Sequence, residues 1–304
     1  MLILIFGFAA GLWWGTDRQH QAGSSTEPKT VVKDQEPKPD PEPKQDSKAN
    51  QESDNPAKPA ESIAVKTVLP ILGNSNKLTA KQWKAMLVWR NDSDQTARVN
   101  QGRVYVNGPT ASKQVCLTFD DGPDLINTPK ILDVLKQYDV HGNFFFKGNR
   151  VRKYADVVKR ADNEGNLVLS HAYSHQELNK MNAHDIDKEI WATDQAFKEI
   201  IGKSPALIRP PFGSINNDVI TECSDNGERI ILWSIDTLDW SQMERNNIAA
   251  NVLNNVRPGD IILMHSDEDK GETTAALPAI IEGLQSQGYS IVTLDAMLGM
   301  PGYK

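Results

Sequence analysis

From Lys113 to the end of the chain, short apolar runs alternate with segments of helical periodicity, and this alternation limits the fold more than any other feature. The runs fall near residues 114–119, 143–147, 166–170, 206–208, 229–235, 260–264 and 289–293. Helical patterns lie between them, near 128–138, 149–164, 184–201, 216–226, 245–256 and 274–287. Apolar runs of this length bounded by turn residues read as buried strands. Regular strand–helix alternation predicts parallel strands joined by crossover helices, an α/β architecture. In such folds the functional groups gather at the carboxyl ends of the strands.

The polar residues follow that expectation. Asp120 and Asp121 follow the first run, in Thr118-Phe119-Asp120-Asp121-Gly122-Pro123. His171 and His175 follow the third, Arg209 the fourth, and Asp236 and Asp239 the fifth, while His265 ends the sixth. Charged groups collected at a rim cost desolvation unless they are paired or ligated, so stability alone does not call for them. Neighbouring residues on a strand point in different directions, which leaves one Asp to bind a cation and the other to take a proton. Taken alone, Asp-Gly-Pro is also good turn chemistry.

His171-Ala172-Tyr173-Ser174-His175 sets two imidazoles four apart, able to face one point. Ala172 follows the first His, so this is not the HExxH zinc-protease motif. Two His and one carboxylate form a nitrogen/oxygen donor set suited to zinc, with Asp121 the natural third ligand and Asp120 the base. Arg209 is placed to pair with Asp120 and keep it ionised. Pro210 and Pro211 stiffen the loop after Arg209, so the amide of Phe212 is preset to stabilise an oxyanion. His265, with Asp236 raising its pKa and orienting its ring, is the candidate acid. His20, His141 and His184 have no such company.

Composition narrows the partners and the compartment. A net charge of -7 and a pI near 5.4 argue against nucleic acid, whose binders show a basic face. The two cysteines are too few for a disulfide framework, and Cys116 in an apolar strand reads as a small buried thiol. Residues 1–15 are uncharged and almost wholly apolar, and read as a signal peptide or signal anchor. Residues 16–62, rich in Pro, Lys and Glu, read as a disordered linker or stalk. Residues 63–110 read as a small lead-in unit, with capping-box spacing at Thr79-Ala80-Lys81-Gln82 and a short strand at 103–106. The chain is therefore expected to be exported to the cell envelope or beyond, touching a membrane only through 1–15, and to act as a monomer.

The five segments TFDDGP, HAYSH, RPPFG, DTLDW and IILMH, in that order, resemble the NodB-homology polysaccharide deacetylases, carbohydrate esterase family 4. The resemblance covers about residues 111–297, within an expected domain of 111–304, and implies a distorted (β/α) barrel of about seven parallel strands, TIM-barrel-like. It implies removal of acetyl groups from sugar polymers with one divalent metal, zinc first, with cobalt or nickel as alternatives. Carried over by position, Asp120 resembles the base, Asp121, His171 and His175 the metal ligands, Arg209 the residue holding the base, His265 the acid and Asp236 the residue tuning that acid. Pro211, Phe212, Trp240 and Leu263 would line the oxyanion site, the groove and the acetyl pocket. Two departures stand out: the family usually has Ser or Thr where this chain has Ala172, and Gly-Asn where it has Leu169-Ser170. The expected substrate is N-acetylglucosamine in a cell-wall or exported polysaccharide, peptidoglycan first. Chitin oligosaccharides, O-acetyl xylan and a non-catalytic wall-binding role are the alternatives.

Overall fold

The computed structural model describes Val65 and residues 67–304. The expected signal or anchor segment 1–15 and the linker 16–62 lie outside the described residues. Among the described residues no helix is long and apolar enough to cross a membrane.

Nine strands among the described residues form one sheet: β1 (Val104–Tyr105), β2 (Gln114–Asp121), β3 (Asn143–Phe146), β4 (Leu167–Ser170), β5 (Leu207–Ile208), β6 (Arg229–Ile231), β7 (Ile235–Asp236), β8 (Ile261–His265) and β9 (Ser290–Ile291). Their order is β1-β6-β5-β4-β3-β2-β8-β7, with β9 pairing on β2. Every ladder is parallel. The helices are α1 (Ala80–Val99), α2 (Asn127–Gln137), α3 (Gly148–Val151), α4 (Ala155–Asn163), α5 (Ala183–Ile201), α6 (Asn217–Asp225), α7 (Asp239–Gln242), α8 (Arg245–Leu253), α9 (Gly271–Ser286) and α10 (Leu294–Leu298). Only Leu232-Trp233-Ser234 separates β6 from β7, although β6 is second in the order and β7 last. Three residues reach about 10 Å at most, so the sheet must curl until its ends nearly meet. This is the distorted barrel the motifs imply.

The apolar run at 229–235 is thus two strands rather than one, and Val104–Tyr105 adds another, which raises the expected seven to nine. Residues 67–110, the expected lead-in segment, pack with the sheet in one compact unit: β1 hydrogen-bonds to β6 and Leu72 pairs in parallel with Ile235 of β7. The capping box is present: Thr79 Oγ1 accepts from Gln82 N, and Gln82 Oε1 accepts from Thr79 N.

Strand alternation sorts the core into two layers. Val115, Leu117 and Phe119 of β2, Phe144 and Phe146 of β3, and Ile262 and Met264 of β8 pack outward against the helices. Cys116, Phe145, Ile261 and Leu263 take the opposite parity and fill the barrel interior. Continuing that interior parity to the strand ends leads to Asp120 on β2 and His265 on β8. Cys116 and Cys223 are both buried and free.

Candidate active site

β2 and β8 are in register at Asp120 and His265, so these two residues are cross-strand partners at the carboxyl ends of adjacent strands. Asp120 is 3% exposed and accepts from Arg209 Nη1 at 2.7 Å. Burial pushes its carboxyl pKa up, and the Arg209 charge works against that rise. Arg209 is itself fully buried. Its Nη1 also donates to Thr118 Oγ1, its Nε to Ile231 O and its Nη2 to Leu232 O, while its face lies 4.2 Å from the Phe145 ring. A guanidinium with this many partners is fixed in orientation, and so is the carboxylate it holds.

Asp121 does not simply point away from Asp120, as strict alternation predicts. Its φ of +80° turns the chain at the strand end. As a result Asp121 Oδ1 lies 3.8 Å and Asp120 Oδ2 4.0 Å from the same atom, His171 Nε2. Asp121 Oδ1 is also 2.9 Å from His175 Nε2 and 3.3 Å from Lys147 Nζ. Burial would raise the Asp121 pKa, but the close contact with His175 and the neighbouring histidine charges hold it well below the usual carboxylate range.

The two histidines meet through a loop, not a helical turn. Ala172 (φ +55°) and His175 (φ +62°) are both left-handed, which folds the segment back on itself. Tyr173 N and Ser174 N donate to Glu189 Oε2, and Ser174 Oγ to Glu189 Oε1, tying the loop to α5. Gly148 N and Asn149 N bind the carbonyls of Ala172 and Tyr173 from the other side. His171 Nδ1 is 2.6 Å from Arg209 O, a contact that requires the proton on Nδ1 and leaves Nε2 with its lone pair toward Asp121. Burial, then the neighbouring His175, pushes the His171 pKa well below its ordinary value, which favours the neutral ligand form.

This donor set fits a divalent cation. Asp121, His171 and His175 each offer a ligand atom within 4.8 Å of the others. Asp121 Oδ1 is buried and makes no hydrogen bond of good geometry, although His175 Nε2 and Lys147 Nζ stand close to it. Two imidazoles and one carboxylate are the composition of a zinc site that keeps positions open.

His265 carries a correction. Its Nδ1 is 2.7 Å from Asp239 Oδ1, and its backbone N–H donates to Asp239 Oδ2 at 2.8 Å. The expected partner, Asp236, instead accepts from Leu238 N at 2.9 Å and Trp240 Nε1 at 3.4 Å, and lies 3.9 Å from Arg90 Nη2. Leu238 is the reason: its left-handed φ of +58° swings the chain so that Asp239, not Asp236, returns to β8. Thr273 Oγ1 donates to Asp239 Oδ2 at 2.7 Å and completes its environment. Burial would lower the His265 pKa, but Asp239 overrides it and raises the value to about 10.

The remaining expected residues surround this centre. Pro211 is buried and starts a tight turn, in which Gly213 N and Ser214 N donate to the carbonyls of Pro210 and Pro211. The Phe212 amide takes no part in that turn. The Phe212 ring is 60% exposed and lies 4.8 Å from the His175 ring. Trp240 is half-exposed, and Leu263 is buried in register with both Thr118 and Asp236. Asp239, Glu189 and Thr273 are the site residues that sequence reasoning did not assign.

Comparison with known proteins gives a consistent result. The family model for polysaccharide deacetylase matches residues 107–231. A peptidoglycan-N-acetylglucosamine deacetylase of Bacillus cereus is 40% identical over 194 residues, covering 63% of this chain and 70% of that protein. A peptidoglycan-N-acetylglucosamine deacetylase of Listeria monocytogenes is 39% identical over 189 residues, covering 62% of this chain but only 39% of that protein. Among solved structures, a peptidoglycan N-acetylglucosamine deacetylase is 37% identical with a TM-score of 0.65, covering 66% of this chain and 95% of that one.

Proposed function

Because this chain belongs to the polysaccharide deacetylase family and is a hydrolase of that class, we propose that it removes N-acetyl groups from N-acetylglucosamine in peptidoglycan, with the help of one divalent metal. The observation that carries the reading is the pairing of Asp120 with His265 across β2 and β8, beside the Asp121–His171–His175 cluster. Base and acid stand on one rim with a metal-fitting triad between α5 and the strand ends. The substrate is taken from the relatives of Bacillus cereus and Listeria monocytogenes, whose names specify peptidoglycan N-acetylglucosamine.

Asp121, His171 and His175 would hold the cation, and zinc suits the donor set best. Such an ion supplies Lewis acidity toward the acetyl carbonyl and makes water a better nucleophile. Asp120, oriented by Arg209, takes the proton from the attacking water. The Phe212 amide, in the turn that Pro210 and Pro211 stiffen, donates to the developing oxyanion. An amine leaves poorly without a proton, and His265, kept protonated by Asp239, supplies it. Trp240 and Phe212 give the sugar an aromatic wall, and Leu263 lies beneath the acetyl methyl. The apolar segment 1–15 and the linker 16–62 fit an enzyme exported to the envelope.

The full chain, assayed on peptidoglycan, chitin oligomers and acetyl-xylan, tests the assignment. Acetate release is expected to be fastest on peptidoglycan, with free amines appearing on the glucosamine units. Faster release from acetyl-xylan, without amine formation on peptidoglycan, would replace the amidase reading with an esterase.

A further inference from the structure

The family match begins at residue 107, so α1 and the segment leading into it lie before it. Two consecutive residues of α1 nevertheless touch two loops of the site. Trp89 stacks on Trp233 with ring centroids 5.0 Å apart, and its Nε1 donates to Gly213 O at 3.3 Å. Gly213 has φ +60°, and a Cβ there would lie 2.5 Å from the Trp89 ring, so indole and turn are in contact with no room for a side chain. Trp233 in turn lies 5.6 Å from the Arg209 guanidinium. Trp89 therefore backs the Pro210–Gly213 turn from behind.

Arg90 does the same for the other loop. It is 6% exposed, and its Nη1 donates to Gly73 O at 3.0 Å. Its Nε and Nη2 are buried without a hydrogen bond, and Asp236, 3.9 Å from Nη2, provides the compensating charge. The other Asp236 oxygen accepts from Leu238 N and Trp240 Nε1, the residue that redirects the chain and the residue that walls the groove. The segment before α1 reinforces this contact. Leu72 exchanges backbone hydrogen bonds with Ser234 and Asp236, Ser241 Oγ bonds Ser75 Oγ at 2.9 Å, and Asn251 Nδ2 donates to Asn74 O at 2.8 Å.

We infer that α1 is a positioning element for deacetylation, with Trp89 holding the Pro210–Gly213 turn and Arg90 holding the Asp236–Trp240 loop. The inference rests on the proposed roles of those loops. Neither residue touches the reacting atoms. Their effect is on preorganisation, where a displacement of about 1 Å can cost about 100-fold in rate.

The test compares the full chain with Trp89→Ala, Trp89→Phe, Arg90→Met and Arg90→Lys, using Leu87→Ala on the exposed face of α1 as control. Amide exchange by mass spectrometry, zinc affinity, and kcat and KM for acetate release are measured on each. Trp89→Ala is expected to speed exchange in 210–214, and Arg90→Met in 236–241, with β2 and β8 unchanged and zinc affinity within about twofold. In both variants kcat falls about 10-fold or more, while Trp89→Phe and Arg90→Lys recover part of the loss and Leu87→Ala matches wild type. Unchanged loop exchange and kcat in folded Trp89→Ala and Arg90→Met would overturn the inference, as would exchange rising uniformly through the chain. If Trp89→Ala does not fold, Trp89→Phe decides, since it keeps an aromatic ring at the position stacked on Trp233 but removes the hydrogen bond to Gly213 and the outer ring atoms packed on it: faster exchange confined to 210–214 supports the inference, and wild-type exchange and kcat there overturn it. A wild-type chain that releases no acetate yet shows the expected local exchange changes would sink the deacetylase reading and leave the structural clamp standing.

Discussion

At the scale of single residues, a base that must be ionised and an acid that must be protonated have to coexist at one pH. Burial raises the Asp120 pKa, and Arg209 counters that rise; Asp239 raises His265 to about 10. Asp239 thus favours the protonated acid, while the Arg209 charge favours the ionised base. Asp239→Asn removes the carboxylate that lifts His265, so the ring loses its proton at lower pH. The alkaline limb of the kcat/KM profile should then move acidward by about one unit or more. Asp236→Asn should leave that limb in place, which separates the two aspartates in a single pH–rate experiment. Asp120→Asn should keep zinc affinity close to wild type while acetate release falls at least ~100-fold. Zinc competition and initial rates would check it, and near-wild-type turnover would remove Asp120 as the base. The groups at the ends of β2, β4, β5 and β8 were legible in the sequence because each follows an apolar run directly. Asp239 was not, because choosing it over Asp236 depends on a left-handed Leu238 that spacing does not reveal.

At the scale of elements, the His171–His175 loop depends on α5. Glu189 accepts three hydrogen bonds from Tyr173 and Ser174, and it fixes the segment that presents both histidines. Groups that orient ligands typically contribute about 10–100-fold to metal affinity. Glu189→Ala is expected to weaken zinc binding by that factor, and Ser174→Ala, which removes one of the three bonds, by less. Isothermal titration would show it, and unchanged zinc affinity in Glu189→Ala would mean the loop holds itself. In the sequence Glu189 looks like any polar position on an amphipathic helix, since its partners are mostly backbone amides 15 and 16 residues upstream. The helical segment 149–164 likewise read as one helix but is α3 and α4.

At the scale of the whole molecule, barrel curvature turns separate strand ends into one site. The parallel register sets Asp120 beside His265, and the three-residue link from β6 to β7 brings the fifth run around to β8. Alternation predicted the parallel sheet, but not how residues 67–110 join it, because a two-residue strand and two isolated bridges leave little periodicity to read. Gly73 marks that junction. Its φ is +134°, and a Cβ there would lie 2.0 Å from Asp236 O. Gly73→Ala should therefore destabilise the fold by about 2 kcal/mol or more, lowering Tm by roughly 4–8 °C in calorimetry. A Tm equal to wild type would show that the segment around Gly73 can move aside freely. The central claim, that these strand ends form a metal-dependent deacetylase, is tested most directly by acetate release from peptidoglycan before and after chelation. The expected result is loss of release on chelation and recovery on adding zinc, with no recovery in His171→Ala. Release that continues undiminished in the chelated wild-type chain would contradict it.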